Sequence, residues 1–475
     1  MAHDLVIVGG GPGGYAAAFR AAAHGLDVGL VEAGTVGGVC LHRGCVPSKA
    51  LLHVAGVLEE VHRADVLGLR MAYEGIDAEN LGAFRDGVVA KLHKGLQGLV
   101  EERTTLYPGR GRLRAGDDGP TVEVTAETGE TTKLEAPNVV VATGSRPRHL
   151  PGVEVDGTVV QTSDDALFAA PPASAVIVGA GAVGMEFASM WRPMGAEVTV
   201  IEALDRVLPL EDPDVSRTLA RAVKRRGIDV LTDVRLEAVR HEGETATVEV
   251  ALGDEVRTLE AERVLVAVGR EPVTDEVGLT ELGVLDDRGF VVVDEWGATA
   301  TPGLWAVGDV TSGPALAHAA FAEGFVVGDR IAGVPTAVPV DHTQTPRVTY
   351  TLPEVASVGL TEAEARERFG DESIEVSSAG LHGNAKGIIA GSEGLVKVVR
   401  ATGPVPRGAV GGQGPVLGIH LVGPHATELI GEASVATAWE AVPAELAAIT
   451  HAHPTLYEAL GEAFLSAAGT PHHGR

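Results

Sequence analysis

Two glycine-rich fingerprints with the same internal spacing constrain the fold of this chain more than any other feature. The first follows the apolar run Leu5–Val8 and consists of Gly9, Gly11 and Gly14, with Glu32 at the end of the next apolar run. A GxGxxG turn between a strand and a helix lets the backbone approach a pyrophosphate, while the acid binds a ribose hydroxyl. In this context the pattern predicts a dinucleotide site rather than a purely structural glycine turn.

The same pattern returns 170 residues further along the chain, at Gly179, Gly181, Gly184 and Glu202. Each copy leads to another apolar strand that ends in a glycine turn, NVVVATGS in the first copy and VLVAVGR in the second. Two copies with one spacing are not explained by chance, so we expect two Rossmann-like units that bind two dinucleotides. Glu202 would repel a 2′-phosphate and predicts NAD for the second unit, although Arg206 keeps NADP open.

Composition and charge exclude several classes of protein. Only 4% of the 475 residues are aromatic and 62 are glycine, so the core must be built from small aliphatic side chains, which suits parallel α/β sheets. The net charge of 37 − 65 = −28 argues against nucleic acid or an anionic membrane as partner. We interpret the acidic surface as solvated, with a basic docking partner as the alternative. Without a membrane-length apolar run or a basic leader, the protein is expected to be cytoplasmic.

The only two cysteines, Cys40 and Cys45, have four residues between them and lie at the start of a predicted helix. Metal binding would need two further ligands nearby, and the sequence offers none at a suitable spacing. A helix N-terminus and the neighbouring Arg43 favour a thiolate at Cys45, so we predict a reversible disulfide. A carrier between these thiols and NAD must exchange both thiol electrons and hydride, which flavin does. The sequence therefore predicts FAD on the first unit and NAD on the second.

The last third of the chain has a different character. After about residue 346, β-branched strands of an antiparallel sheet alternate with helices and carry no nucleotide fingerprint, and 403–415 is predicted to be a long hairpin loop. Upstream, GLWAVGDV ends in Gly-Asp and could place Asp309 on a hydroxyl of a cofactor. Near the C-terminus His453 precedes a proline and Glu458 follows in the next helix. Taken alone, that arrangement is more typical of a helix-start turn than of a catalytic base.

Over essentially its full length the chain resembles the dihydrolipoamide dehydrogenase branch of the flavin-dependent pyridine nucleotide-disulfide oxidoreductases (class I). The matching segments are GGVCLHRGCVPSKALLH, VIVGAGAVGMEFASMW, VAVGREP, LWAVGDV, TLPEVASVGLTEAEA and THAHPTLYEAL. The resemblance implies an α/β fold with two Rossmann-like dinucleotide-binding domains and a C-terminal α+β dimerisation domain. The expected segments are 1–150 (FAD), 151–271 (NAD), 272–345 (completing the FAD domain) and 346–475 (interface).

The resemblance also implies roles for individual residues. Cys40 would exchange with a dithiol substrate and Cys45 would be the thiolate against the flavin, with Lys49 near the flavin and paired with Glu186. In an obligate homodimer His453, held by Glu458, would reach the partner's disulfide as base, because histidine titrates near neutral pH. The implied FAD contacts are Gly9, Gly11, Gly14, Glu32, Lys49, Gly111, Thr143, Gly144, Asp309 and Ala317. The implied NAD contacts are Gly179, Gly181, Gly184, Glu202, Ala267, Gly269 and Arg270.

The activity implied by the resemblance is the oxidation of protein-bound dihydrolipoyl groups by NAD. The partner would be a lipoyl-bearing acyltransferase or lipoyl carrier protein of a 2-oxoacid dehydrogenase or glycine cleavage complex. One alternative is a related flavoprotein disulfide or quinone reductase using NAD(P)H, and another is a non-catalytic assembly subunit, which would have no use for the cysteine pair. One departure from the family pattern is His42–Arg43, where Asn-Val is frequent, so the electrostatics beside Cys40 are expected to differ.

Overall fold

A computed structural model describes residues 1–116, 119–403 and 414–473. The strands are, in chain order, β1 (Leu5–Val8), β2 (Val28–Glu32), β3 (Thr105–Pro108), β4 (Arg110–Arg114), β5 (Thr121–Thr125), β6 (Thr131–Glu135), β7 (Asn138–Val141), β8 (Ser145–Pro147), β9 (Val160–Gln161), β10 (Ser174–Val178), β11 (Glu197–Ile201), β12 (Ile228–Leu231), β13 (Arg235–Glu242), β14 (Thr245–Leu252), β15 (Glu255–Ala261), β16 (Arg263–Val266), β17 (Arg270–Pro272), β18 (Leu304–Ala306), β19 (Arg347–Thr349), β20 (Glu354–Gly359), β21 (Ile374–Gly380), β22 (Leu395–Ala401) and β23 (Val416–Gly423).

The helices connect and cover these strands. They are α1 (Pro12–Ala23), α2 (Gly38–His42), α3 (Cys45–His62), α4 (Ala78–Arg103), α5 (Ser163–Ala166), α6 (Ala182–Trp191), α7 (Pro213–Arg225), α8 (Leu279–Leu282), α9 (Ala317–Ile331), α10 (Glu362–Phe369), α11 (Ala385–Ala390), α12 (Ala426–Ala438), α13 (Pro443–Ala447) and α14 (Glu458–Ala467). Most of the predicted hairpin loop at 403–415 lies outside the described residues.

The chain forms two compact units, each made from several segments. The first contains 1–51, 77–148 and 269–342, and the second contains 52–76, 149–268 and 343–475. The predicted bounds of the four sequence segments stay a prediction.

A five-stranded parallel sheet is the centre of the first unit, with the strand order β18-β7-β1-β2-β3. Strand β1 is fully buried, as expected for a central parallel strand that is covered on both faces. Helix α1 connects β1 to β2 and packs closely on α9, because Gly324 has no side chain: a Cβ there would lie 2.6 Å from the Gly13 carbonyl oxygen. A meander of β4, β5 and β6 completes the unit.

The second unit repeats this arrangement in its 149–268 segment. Its parallel sheet has the order β12-β11-β10-β16-β9, and α6 follows β10 as α1 follows β1. The antiparallel meander of β13, β14 and β15 was not predicted, because the first of these strands is mostly exposed and lacks apolar alternation. The two Rossmann-like units predicted from the repeated fingerprint are confirmed.

The C-terminal part of the second unit is an antiparallel sheet of order β19-β20-β23-β22-β21. Its core combines sheet residues such as Val358 and Ile419 with Phe464 of α14. This confirms the predicted α+β domain and adds β21 and α10 to the expected elements. Helix α12 ends at Ala438, and Glu440 two residues later adopts a positive φ of 54°.

A buried ion cluster links the 149–268 and 343–475 segments within this unit. The Nζ of Lys397, only 2% exposed, donates to Asp212 (2.8 Å), Asp214 (2.6 Å) and Glu362 (2.7 Å). Asp212 is fully buried and caps α7 by accepting from the Asp214 backbone N–H. We name these four residues the Lys397 cluster.

Among the described residues, no helix combines the length and the apolar character that crossing a membrane requires.

Candidate active site

The two cysteines lie on consecutive helices of the first unit. Cys40 is inside the short α2, and Cys45 is the first residue of α3. Both are thiols outside any disulfide in the described structure, Cys40 partly buried and Cys45 exposed. A hydrogen bond to the Cys45 side chain raises the pKa of Cys40, burial raises it further, and Lys49 acts weakly in the opposite direction. Cys40 therefore releases its proton less readily than an exposed thiol does.

Glycines bring this pair against the first glycine loop. Gly37 and Gly38 have positive φ angles of 109° and 57°, which residues with a side chain rarely adopt. A Cβ on Gly38 would lie 2.8 Å from the Cα of Gly11, so only glycine permits this approach. The thiol pair and the predicted FAD loop are thus adjacent in the fold.

Tyr15 of α1 lies next to the thiols and was not predicted. Burial raises its pKa to about 12, with further contributions from the charges of Cys40 and Cys45. Its ring packs 5.5 Å from Phe321, between centroids. In the sequence it reads as one apolar position of a helix, and nothing local marks it as a neighbour of the cysteines.

His42, where the chain departs from the family pattern, is half-buried. One ring nitrogen is 2.9 Å from the Val36 carbonyl oxygen, and the ring contacts His93 of α4 edge-on at 5.1 Å.

The first glycine loop has the geometry of a dinucleotide cradle. Gly9 has φ 108°, and a Cβ on it would lie 2.3 Å from the Ala142 carbonyl oxygen. A Cβ on Gly14 would lie 1.8 Å from the Gly9 carbonyl oxygen, so the turn admits no side chain at either position. Gly11 precedes α1, whose first N–H groups have no partner within the helix. The carboxylate of Glu32 accepts from the Gly10 and Gly34 N–H groups, both at 2.7 Å.

The second loop reproduces this geometry bond for bond. Gly179 has φ 106°, and a Cβ on Gly184 would lie 1.9 Å from the Gly179 carbonyl oxygen. Glu202 accepts from the N–H groups of Ala180 (2.7 Å) and Leu204 (2.9 Å), which are the positions 170 residues after Gly10 and Gly34. No atom lies within 4 Å of a Cβ built on Gly181, so the space in front of this loop is open to a ligand. Both loops therefore fit a dinucleotide.

The remaining predicted FAD residues surround the sheet of the first unit. Gly111 is on β4, where a Cβ would lie 2.9 Å from the Val8 side chain. The Thr143 hydroxyl donates to the Val273 carbonyl oxygen at 2.6 Å, and Gly144 has a φ of 71°. Asp309 lies in a 3-10 turn, where it accepts from the Ser145 hydroxyl, and Ala317 is the first residue of α9.

The predicted NAD residues fall in both units. Ala267 lies beside the second loop, where its carbonyl oxygen would be 2.4 Å from a Cβ on Gly179. Gly269 and Arg270 belong to the first unit, and the Arg270 guanidinium contacts Ser145 there. The Arg206 guanidinium is bound to Asp205 and to the Pro209 carbonyl oxygen. It lines a cavity of about 540 Å³ between β12 and α7 that none of the predicted NAD residues lines.

Glu186, on α6, is buried and accepts from the Tyr350 backbone N–H at 3.0 Å. Lys49 lies in the first unit and Glu186 in the second, so their predicted pairing stays a prediction.

His453 and Glu458 are brought together as predicted. Nδ1 of the histidine is 2.9 Å from Oε1 of Glu458, and the Thr455 backbone N–H donates to Oε2 at 2.8 Å. The Thr455 N–H and then the histidine lower the pKa of Glu458. An ionised carboxylate only accepts, so Nδ1 carries the hydrogen and Nε2 is left as a proton acceptor. The His453 side chain is 77% exposed.

His451, two residues earlier, has a structural role. Its nitrogens contact Glu432 and the Ile449 carbonyl oxygen, and its side chain is 8% exposed.

Comparison with known proteins places the whole chain in one family. Residues 3–324 match the pyridine nucleotide-disulphide oxidoreductase domain, and residues 345–464 match the dimerisation domain of the same family. The chain is 38% identical to the dihydrolipoyl dehydrogenase of Bacillus subtilis, over 99% of both chains. It is also 38% identical to that of Zymomonas mobilis, again over 99% of both.

Similarity of structure agrees with similarity of sequence. The crystal structure of LpdA from Mycobacterium tuberculosis matches 97% of this chain and 99% of its own, with a TM-score of 0.87 and 29% identity. Two matched dinucleotide loops, an adjacent thiol pair and these matches lead to one conclusion. The chain belongs to the pyridine nucleotide-disulphide oxidoreductase family.

Proposed function

We propose that this protein is an FAD-containing dihydrolipoyl dehydrogenase, which oxidises protein-bound dihydrolipoyl groups to the lipoyl disulfide with NAD as acceptor. The observation that carries the proposal is the pair of thiols on consecutive helices beside the first dinucleotide loop, with Cys40 partly buried and Cys45 exposed. Two inequivalent sulfurs are what a dithiol exchange requires, since one sulfur must meet the substrate and the other must receive the electron pair. Relatives named dihydrolipoyl dehydrogenase over the full chain length support the same reaction.

The first unit would hold FAD, and the second loop would hold NAD. The glycine loop and Glu32 receive the pyrophosphate and a ribose of FAD, and Lys49, Gly111, Thr143, Gly144, Asp309 and Ala317 complete the contacts. When bound, FAD supplies the two-electron transfer between the thiols and the nicotinamide. NAD is favoured over NADP because Glu202 is an anion at the ribose position and Arg206 is already held by Asp205 and a carbonyl oxygen.

The thiol exchange itself needs only sulfur and proton chemistry. With the pair oxidised, one thiolate of the dihydrolipoyl group attacks Cys40 Sγ, and the Cys40–Cys45 bond breaks. The electron pair of that bond goes to Cys45, and the substrate sulfur becomes joined to Cys40. The second substrate sulfur then attacks the first, which forms the lipoyl disulfide and releases Cys40 as a thiolate. That thiolate takes up a proton more readily than an exposed thiolate would, because the contact with Cys45 and burial both raise the pKa of Cys40.

His453 would be the base that removes protons from the dithiol. Its Nδ1 is fixed by Glu458, and its Nε2 is available on a side chain exposed to solvent. Because the dimerisation domain carries this histidine, we propose that the partner subunit's His453 serves the thiol pair of each protomer in a homodimer. The lipoyl group would arrive on an acyltransferase or lipoyl carrier protein of a 2-oxoacid dehydrogenase or glycine cleavage complex.

Lys49 lies one helical turn after Cys45, so both face the same side of α3. Its positive charge favours a thiolate at the pair, and we propose that Glu186 orients it.

A Cys45→Ser variant tests this function. We expect the variant to retain bound FAD but to lose at least a thousandfold in turnover of dihydrolipoamide, because no disulfide can form. Wild-type protein is assayed in parallel with a quinone as acceptor for NADH. Undiminished dihydrolipoamide turnover in the variant would refute the proposed function. A wild-type protein that reduces quinones and not lipoamide would identify a quinone reductase instead.

A further inference from the structure

Three polar side chains meet beside the glycine turn of the first unit, although they are far apart in the sequence. Nε of Arg270 donates to Oγ of Ser145 at 2.7 Å, and the Ser145 hydroxyl lies 2.6 Å from Oδ2 of Asp309. Nη2 of Arg270 also donates to the Ser145 carbonyl oxygen at 2.7 Å, and Nε is 3.8 Å from Oδ2 of Asp309. Ser145 itself is 6% exposed.

The donor and the acceptor of each of these hydrogen bonds follow from the chemistry of the three side chains. The guanidinium of Arg270 can only donate, so Ser145 Oγ must accept from it. The single hydroxyl hydrogen of Ser145 is then available to Asp309, which as a carboxylate can only accept. Ser145 is therefore fixed as the donor to Oδ2. Among the residues the structure describes, Oδ1 of Asp309 receives no hydrogen bond and is left for a ligand hydroxyl.

The backbone holds the three residues at fixed positions. Ser145 begins β8 and Arg270 begins β17, and these strands form a two-stranded antiparallel ribbon. The Val273 N–H donates to the Gly144 carbonyl oxygen at 2.9 Å, which continues the ribbon past its last pair. Asp309 lies in the 3-10 turn Gly308–Val310, whose first N–H donates to Glu323 at 2.6 Å. The hydrogen bonds from Arg270 to Ser145 and from Ser145 to Asp309, together called the relay, thus connect two rigid backbone elements. They leave little freedom in the orientation of the Asp309 carboxylate.

We propose that Ser145 and Arg270 are positioning residues for Asp309, and that Arg270 serves the flavin side of the enzyme rather than acting as an NAD ligand. This rests on the proposed function, in which Asp309 accepts a hydrogen bond from a hydroxyl of FAD. Ser145 occupies one oxygen of the carboxylate and so aims the other. The guanidinium of Arg270, whose Nε is 3.8 Å from Oδ2, makes an ion-pair contact with the same carboxylate. The family resemblance instead implies that Arg270 is an NAD contact.

The test separates affinity for FAD from affinity for NAD. Apoprotein is reconstituted with FAD, and its dissociation constant is measured by flavin fluorescence; KM for NAD is measured on FAD-saturated enzyme. We expect S145A and R270M each to weaken FAD binding about tenfold or more, the range for a hydrogen bond to a charged group, with KM for NAD within about twofold of wild type. In the double variant the losses should not add, because both changes interrupt one relay.

Arg146 provides a matched control on the same ribbon. It pairs with Glu271 and Asp275 instead of Ser145, so R146M should leave FAD affinity unchanged. R270K keeps the charge but lacks the fork that reaches both Oγ and the carbonyl oxygen of Ser145, so it should resemble R270M more than wild type. Should R270M not fold, S145A carries the test through the same measurement.

Two results would overturn the proposal. A tenfold rise in KM for NAD in R270M with unchanged FAD affinity would show that Arg270 is an NAD ligand. Additive losses of FAD affinity in the double variant would show that Ser145 and Arg270 act independently and not through one relay. The proposed function fails separately. It fails if the wild type does not turn over dihydrolipoamide, a result that does not depend on how Ser145 and Arg270 position Asp309.

Discussion

Replacing Lys397 by methionine should destabilise the second unit severely. The ammonium group is 2% exposed and bonded to three carboxylates, and Asp212 among them is fully buried. Removing one member of a buried ion pair costs about 3–5 kcal/mol, because the remaining charge is left uncompensated. Asp214 and Glu362 are 39% and 32% exposed and can turn to water, so the loss arises mainly at Asp212. We expect the free energy of unfolding to fall by about 3 kcal/mol.

Urea unfolding at pH 7, followed by circular dichroism, measures this loss. Lys133→Met is the matched control, since both members of its ion pair with Glu135 are exposed to solvent and the pair should contribute little to stability. Adding Asp212→Asn to Lys397→Met should recover about half of the loss, because asparagine still caps α7 but carries no charge. A loss below about 1 kcal/mol, or no recovery in the double variant, would refute this account of the Lys397 cluster.

The pH dependence of the same cluster has a definite sign. Burial works to raise the pKa of Asp212, but the hydrogen bonds from Lys397 and from backbone N–H groups outweigh it, and the pKa is lowered overall. A carboxyl group whose pKa is lower in the folded state stabilises the protein above the unfolded pKa of about 3.9 and loses this contribution as pH falls through the lowered value. In Lys397→Met the midpoint of acid unfolding should therefore move to higher pH.

Further predictions concern the catalytic apparatus. His453→Gln should lower kcat for dihydrolipoamide by about 10²–10⁴-fold in steady-state kinetics, because the base is lost. FAD affinity should stay at the wild-type value. An unchanged kcat would mean that another group is the base. Gly184→Ala should abolish NAD binding measured by calorimetry, since its Cβ would lie 1.9 Å from the Gly179 carbonyl oxygen. In the reduced enzyme an ultraviolet titration should show one tyrosine that ionises near pH 12, and this step should be absent in Tyr15→Phe. Oxidation of the thiol pair should lower that pKa, and a value near 10 in the reduced state would contradict the burial of Tyr15.

The fold could be predicted because its strongest requirements are local. Gly9 and Gly14 allow the strand to turn into a helix only where no Cβ intrudes, and that requirement is visible in the spacing of the sequence. The acid at the end of the second strand follows from the same turn, and both copies confirm it. The cysteine pair and the His453–Glu458 pair were likewise predictable, because each is formed by residues at most five positions apart.

What could not be predicted depends on contacts between distant segments. Ser145 meets Arg270 and Asp309 across separations of 125 and 164 residues, and none of the three has a local pattern that marks the others. Lys397 interrupts an apolar strand and reads as a solvent-facing position, yet it is buried because three acids from elsewhere surround it. In both cases the chemistry of a side chain is decided by neighbours that only the folded chain supplies.

The ribbon of β8 and β17 is also the place where the chain leaves the first unit and returns to it. The chain leaves the first unit after Arg148 and returns at Gly269, and the Arg148 N–H donates to the Gly269 carbonyl oxygen at 3.0 Å. The ends of segment 149–268 are therefore already joined at its base, as in a domain inserted into a host. A short turn could therefore close the first unit in place of the whole segment, whereas the same excision would take Asp212 and Asp214 away from the buried Lys397 of the second unit.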